Sequence, residues 1–89
     1  MEALSRTFLV HNKLGLHARP AASIAKLAQQ AKSDIWLIKG DEKADAASII
    51  DILTLACTQG TTIKVEITDH NDTSILENIA SLFETSFGE

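Results

Sequence analysis

Cysteine is almost absent from this 89-residue sequence, which contains only Cys57. A single cysteine cannot form an internal disulfide, and the scattered histidines His11, His17 and His70 have no zinc-ligand spacing. We therefore expect Cys57 to be a buried, reduced thiol in a cytoplasmic protein that needs no metal and no other cofactor.

Long apolar runs and an excess of basic charge are also lacking. No run is long enough to predict a membrane span, and the opening "MEALSRTFLV" has an early acidic residue and no apolar core of a signal peptide. The formal net charge is −4, whereas general nucleic-acid binders carry a basic excess that displaces counterions from phosphates. We expect neither a membrane nor a nucleic-acid partner. The hydrophobic fraction, 45%, suffices for the core of one domain spanning residues 1–89.

Hydrophobic spacing divides the chain into seven predicted elements. They are a strand at 5–10, a helix at 18–32, a hairpin of two strands at 34–46, a helix from Ser48 to near Gly60, a strand at 61–68 and a last helix after the turn "DHND". We expect this turn to contain the cap of the last helix. The order β-α-β-β-α-β-α favours the α+β class, with a mainly antiparallel four-stranded sheet covered by three helices on one face. The predicted core-facing residues are Phe8, Val10, Ala21, Ile24, Ala25, Ala28, Ile63, Val65, Ile67, Ile75, Leu76, Ile79, Leu82 and Phe83.

The segment "GLHARP" places reactive side chains at the start of the first predicted helix. Gly15 permits backbone angles that are closed to other residues, and Pro20 falls in the first turn, where the helix needs no N–H. The free N–H groups of Ala18 and Arg19, the helix macrodipole and the guanidinium group of Arg19 together form an anion site. Because the same dipole disfavours a protonated imidazole, we expect a neutral His17 that accepts a phosphoryl group temporarily. In the alternative interpretation, His17 only caps the helix and Arg19 is a solvated side chain.

The second predicted helix is too hydrophobic for a single buried stripe. Ile52 and Leu55 can face the core, while Ile49, Ile50 and Leu53 form another apolar side. An exposed apolar patch on a small domain is typical of a docking surface, and the alternative is additional burial in the core. A docking surface together with a phosphate site indicates a carrier protein.

At this point two segments carry a resemblance to a known family. "GLHARPAA" resembles the active-site motif of HPr, the histidine-containing phosphocarrier of the bacterial phosphotransferase system, and "SIIDILTLACTQG" resembles its second helix and following turn. The resemblance covers nearly the whole chain. "NKLGLHARPA" and "SLFETSFGE" are more similar still to NPr, the nitrogen-related branch of the family. Leu14 fits that branch, because sugar-branch members usually have a small polar residue just ahead of the glycine.

The resemblance implies an open-faced β-sandwich and a place in a phosphoryl relay. It implies that an enzyme I, which draws on phosphoenolpyruvate, phosphorylates His17 at Nδ1, and that Arg19 assists this phosphoryl transfer. It also implies that the phosphoryl group then passes to a histidine of an EIIA-type protein. It also implies a partner-docking surface made of the first turn of helix one with residues of helix two, namely Ile49, Ile50, Leu53 and Thr54. We expect a monomer that serves as a phosphorylated intermediate and has little catalysis of its own.

Ser48 matches a serine that a regulatory kinase phosphorylates in some Gram-positive members of the family. The preferred interpretation is a simple N-cap, since capping alone accounts for a serine there. A phosphate at Ser48 would place charge in an apolar docking face, and would therefore affect binding rather than folding. We expect Trp36 and Ile38 to pack on the open sheet face, with a candidate contact role, and His11 and His70 to lie at the surface.

Other classes of function compete with the nitrogen-branch phosphocarrier. One is a sugar-transport HPr. Another is a regulatory module that is not phosphorylated and binds a transcription factor or an enzyme through the helix-two face; the presence of His17 favours the carrier over this module. A free-standing hydrolase is disfavoured, because the sequence has no nucleophile elbow, paired acids or metal cluster.

Overall fold

A computed structural model describes residues 4–89 of the chain. Glu2, the acidic residue of the signal-peptide argument, lies outside the described residues. The elements are β1 (Leu4–Leu9), α1 (Ala18–Ala28), β2 (Ile35–Lys39), β3 (Glu42–Asp45), α2 (Ile49–Thr54), β4 (Thr62–Ile67) and α3 (Thr73–Glu84), with short 3-10 turns at His70–Asp72 and Ser86–Gly88. The predicted element order and the α+β class are confirmed.

The four strands form one antiparallel sheet in the order β1-β4-β2-β3. The predicted hairpin joins β2 and β3, and the turn between them contains Gly40 and Asp41. On β4 the side chains of Ile63, Val65 and Ile67 are fully buried, while those between them face the other side. The alternation in the sequence therefore identifies the covered face of the sheet, because side chains of a strand point to opposite faces in turn.

Three helices cover that face and close the core against it. Their apolar stripes are buried as predicted, with Ile24 of α1, Ile52 of α2 and Ile79 of α3 fully enclosed. The ring of Phe83 in α3 stacks on that of Phe8 in β1, with the ring centroids 4.7 Å apart. This stack fixes the end of α3 over the β1 edge of the sheet. Two predicted core residues of α3, Ile75 and Leu82, are only partly buried and pack at the margin of the core.

The other face of the sheet has no helix over it in the part of the chain that the structure describes. Trp36 and Ile38 are half-buried on this face. The Lys43 ammonium lies 4.5 Å from the Trp36 ring centroid, a distance at which the cation is attracted to the ring face. Packing of Trp36 and Ile38 on the open face is confirmed, and their contact role stays a prediction.

The first helix ends at Ala28, four residues before the predicted end at Lys32. The buried carboxylate of Asp72 accepts hydrogen bonds from the backbone N–H groups of Lys32 at 2.8 Å and Ser33 at 3.1 Å. These donors would otherwise continue the helix ladder, so the contact from a residue distant in sequence turns the chain away from α1.

The second helix ends at Thr54, well before the predicted end near Gly60. The Lys39 ammonium donates to the carbonyl oxygens of Leu55 at 2.8 Å and Ala56 at 3.3 Å. Ala56 itself has a left-handed φ of 51°. A left-handed residue ends a helix, and the lysine satisfies carbonyl groups that the shortened helix leaves free.

The two aspartates of the turn "DHND" have different roles, and neither is the simple cap of α3 that the sequence predicts. Asp69 accepts from the N–H of Asn71 at 2.8 Å and caps the short 3-10 turn that precedes α3. Asp72 is the N-cap residue of α3, but its side chain makes no cap hydrogen bond there. The expected cap is thus one turn earlier, because the Asp72 carboxylate is engaged with the end of α1.

The remaining expectations from composition concern Cys57, the exposed histidines and the membrane. Cys57 is buried with a free thiol, as predicted; desolvation raises its pKa, and the charge of Lys39 acts in the opposite direction. His11 and His70 are exposed, also as predicted. Among residues 4–89, no helix combines the length and apolar character needed to cross a membrane.

Candidate functional site at the start of α1

A tight turn from Asn12 to Gly15 positions the segment that leads into α1. The Gly15 N–H donates to the Asn12 carbonyl oxygen at 3.0 Å, and the Leu16 N–H donates to the Cys57 carbonyl oxygen at 2.9 Å. Gly15 has a φ of +68°, and a Cβ atom there would overlap the Cys57 carbonyl oxygen and lie 2.9 Å from the Thr58 Cα. Only glycine satisfies both the backbone angle and the close approach. The turn therefore holds the chain against the loop after α2, two residues before His17.

His17 is the N-cap residue of α1, as the sequence predicts. Its backbone is extended, with φ −77° and ψ −169°, and its carbonyl oxygen accepts the first helical hydrogen bond from Ala21 at 3.0 Å. Its ring makes no cap hydrogen bond. The interpretation in which the imidazole merely caps the helix is therefore not what the structure shows.

Arg19 and His17 lie in the same surface pocket, which has a volume of about 720 Å³. Ala18 and Arg19 are the first two residues of the helix, so their N–H groups have no acceptor within it. Pro20 is buried in the first turn, where its missing N–H breaks no helical bond. Within residues 4–89, the guanidinium group of Arg19 forms no ion pair. The pocket thus combines an imidazole, an unpaired guanidinium group and the positive end of a helix, a set of groups suited to an anion.

Glu89 is a member of this site that sequence reasoning missed. Its Oε2 lies 2.8 Å from Nε2 of His17, and its Oε1 accepts from Nδ2 of Asn12 at 3.1 Å. Glu89 is 72 residues from His17, and no local pattern indicates the contact. The contact adds a carboxylate to a pocket that otherwise holds the imidazole and the guanidinium group of Arg19.

Asn12 is the second polar residue that the sequence analysis passed over. It is 5% exposed, and its Nδ2 donates to the Gly15 carbonyl oxygen as well as to Glu89. A signal for it was available, because an asparagine at the start of a tight turn commonly bonds to the backbone a few residues on. Asn12 thus connects the turn at Gly15 to the carboxylate beside His17.

The outer side of α2 presents an apolar surface, as predicted. Ile50 is 73% exposed, and Ile49 and Leu53 are 39% and 40% exposed, while Ile52 and Leu55 are buried. This distribution contradicts the alternative in which the additional apolar residues of helix two fill the core. Thr54 also lies at the surface, and its hydroxyl donates to the Asp51 carbonyl oxygen at 2.6 Å.

Ser48 is the N-cap residue of α2. Its hydroxyl oxygen accepts a hydrogen bond from the Asp51 N–H at 3.2 Å. The prediction that Ser48 begins the second helix by capping it is confirmed. The carboxylate-bearing Asp51 lies in the same first turn, where negative charge is favoured by the helix dipole.

Comparisons with known proteins agree with the fold and with the motif. The family model of the "PTS HPr component phosphorylation site" matches residues 4–85. Phosphocarrier protein NPr of Shewanella violacea is 36% identical over 89 residues, covering 100% of this chain and 98% of that protein. Phosphocarrier protein HPr of Neisseria meningitidis serogroup B is 33% identical over 86 residues, covering 97% of both chains. The crystal structure of HPr-C-His from Thermoanaerobacter tengcongensis superposes with a TM-score of 0.85 at 36% identity, covering 100% of this chain and 98% of that one.

These matches define a phosphocarrier of the phosphotransferase system with an open-faced α+β fold. The chain belongs to the HPr family. The resemblance carried by "GLHARPAA" and by the second helix is thereby confirmed at the level of the family. Relatives named HPr and relatives named NPr match at similar identity.

Proposed function

We propose that this chain carries a phosphoryl group on His17, receiving it from one protein and giving it to another. The observation that carries the proposal is the joint placement of His17 and Arg19 in one pocket at the N-terminus of α1. An imidazole nitrogen is a nucleophile that forms a reactive phosphoramidate, and the surrounding groups can hold the added charge. A permanent phosphate-binding site would need no nucleophile.

In the proposed reaction, Nδ1 of His17 attacks the phosphorus atom of the donor. A nitrogen–phosphorus bond forms while the bond from phosphorus to the donor breaks, and its electron pair stays on the donor. The N–H groups of Ala18 and Arg19 and the guanidinium group of Arg19 stabilise the negative oxygens of the transferring group. Reversal of the same steps on an acceptor histidine returns His17 to its starting state.

We propose an enzyme I-type protein charged by phosphoenolpyruvate as the donor and an EIIA-type protein as the acceptor. Both would dock on the surface formed by the first turn of α1 and the exposed residues of α2. This surface suits docking because Ile49, Ile50 and Leu53 are apolar, exposed and grouped on one short helix. Thr54 would add a polar contact at its edge. We further propose a cytoplasmic location, in keeping with a chain whose one cysteine is a free thiol.

We assign the chain to the nitrogen-related branch rather than to the sugar branch. The identities to NPr and HPr relatives, 36% and 33%, differ too little to carry this assignment by themselves. Leu14 supports it, because this apolar residue is 72% exposed beside His17 where the sugar branch usually has a small polar residue. A leucine in that position offers a donor protein an apolar contact at the rim of the reactive pocket.

For Ser48 we retain the role of N-cap and not that of a regulatory phosphorylation site. Its hydroxyl oxygen accepts from the Asp51 N–H at 3.2 Å, and this capping contact alone accounts for a serine at the position. Phosphorylation would also place charge next to Ile49 in the docking surface.

The proposal is tested by incubating the chain with an enzyme I and phosphoenolpyruvate and measuring its mass. We expect one acid-labile phosphoryl group on the wild-type chain and none on His17→Ala. Enzymes of the nitrogen and sugar branches, used side by side, should differ, and the nitrogen-branch enzyme should act faster. An unmodified wild-type chain in the presence of enzymes that phosphorylate their own carriers would refute the carrier function and favour the regulatory binding module.

A further inference from the structure

Lys39 connects the sheet to the chain segment that follows α2. It is the last residue of β2, a strand that is paired on both sides, with β4 and with β3. Its ammonium group donates to the carbonyl oxygens of Leu55 at 2.8 Å and Ala56 at 3.3 Å. Within residues 4–89 it forms no ion pair with a carboxylate. The lysine is therefore engaged with the backbone of this segment rather than with another side chain.

The same segment contacts the turn that leads to His17. Cys57 directly follows Ala56, and its carbonyl oxygen accepts from the Leu16 N–H at 2.9 Å. Gly15 approaches that oxygen so closely that a Cβ atom there would overlap it. Leu16 immediately precedes His17, the N-cap residue of α1. The position of the Cys57 carbonyl group therefore determines where the chain enters α1.

The backbone between these two contacts is strained at Ala56. This residue has a left-handed φ of 51°, which a non-glycine residue adopts only when surrounding contacts hold it there. Its N–H is bonded to the Leu53 carbonyl oxygen at 3.1 Å, and its own carbonyl oxygen is one of the two that accept from Lys39. Lys39 thus stabilises, from outside α2, the backbone angle that sets the direction of the Cys57 carbonyl group.

We propose that Lys39 is a positioning residue for phosphoryl transfer, which fixes the end of α2 and, through the Cys57 carbonyl group, the place of His17. The inference rests on the proposed function, since it concerns the rate of that same transfer. A partner bound to the exposed residues of α2 must bring its phosphorus atom to the His17 ring, so the docking surface and the ring need a fixed separation. A misplacement of about 1 Å, caused by a change far from the reacting atoms, can cost roughly 100-fold in rate. Lys39 itself does not line the pocket of His17.

The hold on Leu16 is measured without any partner protein, by native-state hydrogen exchange of backbone N–H groups followed by NMR. Lys39→Met keeps the approximate length of the side chain and removes its donors. We expect exchange of the Leu16 N–H to become faster on the order of tenfold relative to that of the Val10 N–H, which is bonded to the Thr61 carbonyl oxygen at 2.9 Å. The ratio of the two exchange rates corrects for a change in global stability, which affects both groups.

Two variants serve as controls for the exchange measurement. Lys39→Arg keeps a charged group with several donors, and its exchange ratio should stay near that of the wild type. Lys43→Met is the matched loss of a lysine from the neighbouring strand, because the Lys43 ammonium lies over the Trp36 ring and contacts no carbonyl group among residues 4–89. It should leave the ratio unchanged. If Lys39→Met does not fold, Lys39→Gln, whose side chain is shorter and uncharged, gives the same comparison.

The effect on transfer is measured by single-turnover phosphorylation with phosphoenolpyruvate and several concentrations of enzyme I. We expect the maximal rate of Lys39→Met to fall on the order of tenfold, with little change in the enzyme I concentration at half-maximal rate, because Ser48 and Ile52 still hold α2. Lys39→Arg should recover the rate, and Lys43→Met should match the wild type. Ile50→Glu should show the opposite division, with a raised concentration at half-maximal rate, since it changes docking itself.

An unchanged exchange ratio in Lys39→Met would overturn the inference, and so would a maximal rate equal to that of the wild type, which would reduce Lys39 to a cap at the end of α2. An equal loss of rate in Lys43→Met would also overturn it, because the loss would then come from net charge rather than from the carbonyl contacts. The two proposals fail separately. If no variant, the wild type included, gains a phosphoryl group, the carrier function is refuted, while the exchange comparison still decides whether Lys39 holds the Leu16 contact.

Discussion

Replacement of Gly15 by alanine should destabilise the protein far more than an ordinary glycine substitution. The left-handed backbone at φ +68° costs an L-residue roughly 1–2 kcal/mol. The new Cβ would also overlap the Cys57 carbonyl oxygen, and forcing a methyl group into such a packed place costs roughly 1–3 kcal/mol. Moving that carbonyl group weakens its bond from the Leu16 N–H, worth about 1 kcal/mol. We therefore expect a loss of roughly 3–6 kcal/mol in the free energy of unfolding, a large part of the 5–15 kcal/mol typical of a domain.

The assay is urea unfolding followed by circular dichroism, together with the thermal midpoint. A loss of about 3 kcal/mol corresponds to a fall in Tm of roughly 12–24 °C for a chain of this size. Gly40→Ala is the matched control, since Gly40 also has a left-handed φ, +58°, but a Cβ there meets nothing within 4 Å. The free energy of unfolding of Gly40→Ala should fall only by the cost of the left-handed backbone, roughly 1–2 kcal/mol. Equal losses for the two variants would refute the argument that Gly15 is required by its close approach to Cys57.

Three further predictions concern the second helix and the thiol. Ser48→Ala removes the cap contact to the Asp51 N–H and should lower the free energy of unfolding by about 1 kcal/mol, measured by urea unfolding, with Ser48→Gly losing less. Ile50→Glu should slow phosphoryl transfer to and from partners while leaving Tm within a few degrees, because Ile50 is 73% exposed; unchanged transfer kinetics would show that the docking surface lies elsewhere. Burial raises the pKa of Cys57, so alkylation by iodoacetamide should need a more alkaline pH than alkylation of a free cysteine, and unfolding in urea should remove the difference.

The parts of the fold that local spacing determines could be predicted from the sequence. The alternation of Ile63, Val65 and Ile67 identifies the covered sheet face, and the spacing of Ile24 and Ala28 identifies the buried side of α1. These patterns succeed because a strand repeats every two residues and a helix every 3.6, whatever lies against them. The position of His17 as N-cap follows in the same way from the start of the helical pattern.

The helix ends could not be predicted, because side chains distant in sequence determine them. Asp72 takes the N–H groups that would extend α1, and Lys39 bonds to the carbonyl groups after α2. The same reason explains why the candidate site was predicted only in part. His17 and Arg19 are two residues apart and share a recognisable segment, whereas Glu89 reaches the site only through the folding of α3 and the turn after it.

The proposed role of His17, which is to hold a phosphoryl group only temporarily, is measured most directly by following a radioactive label through the chain. Phosphoenolpyruvate carrying ³²P and an enzyme I load the chain, the donor is then removed, and an EIIA-type protein is added. We expect the label to appear on the wild-type chain, to be absent from His17→Ala, and to move from the wild-type chain to the acceptor when the acceptor is added. Label that stays on the chain, or that is retained by His17→Ala, would contradict it.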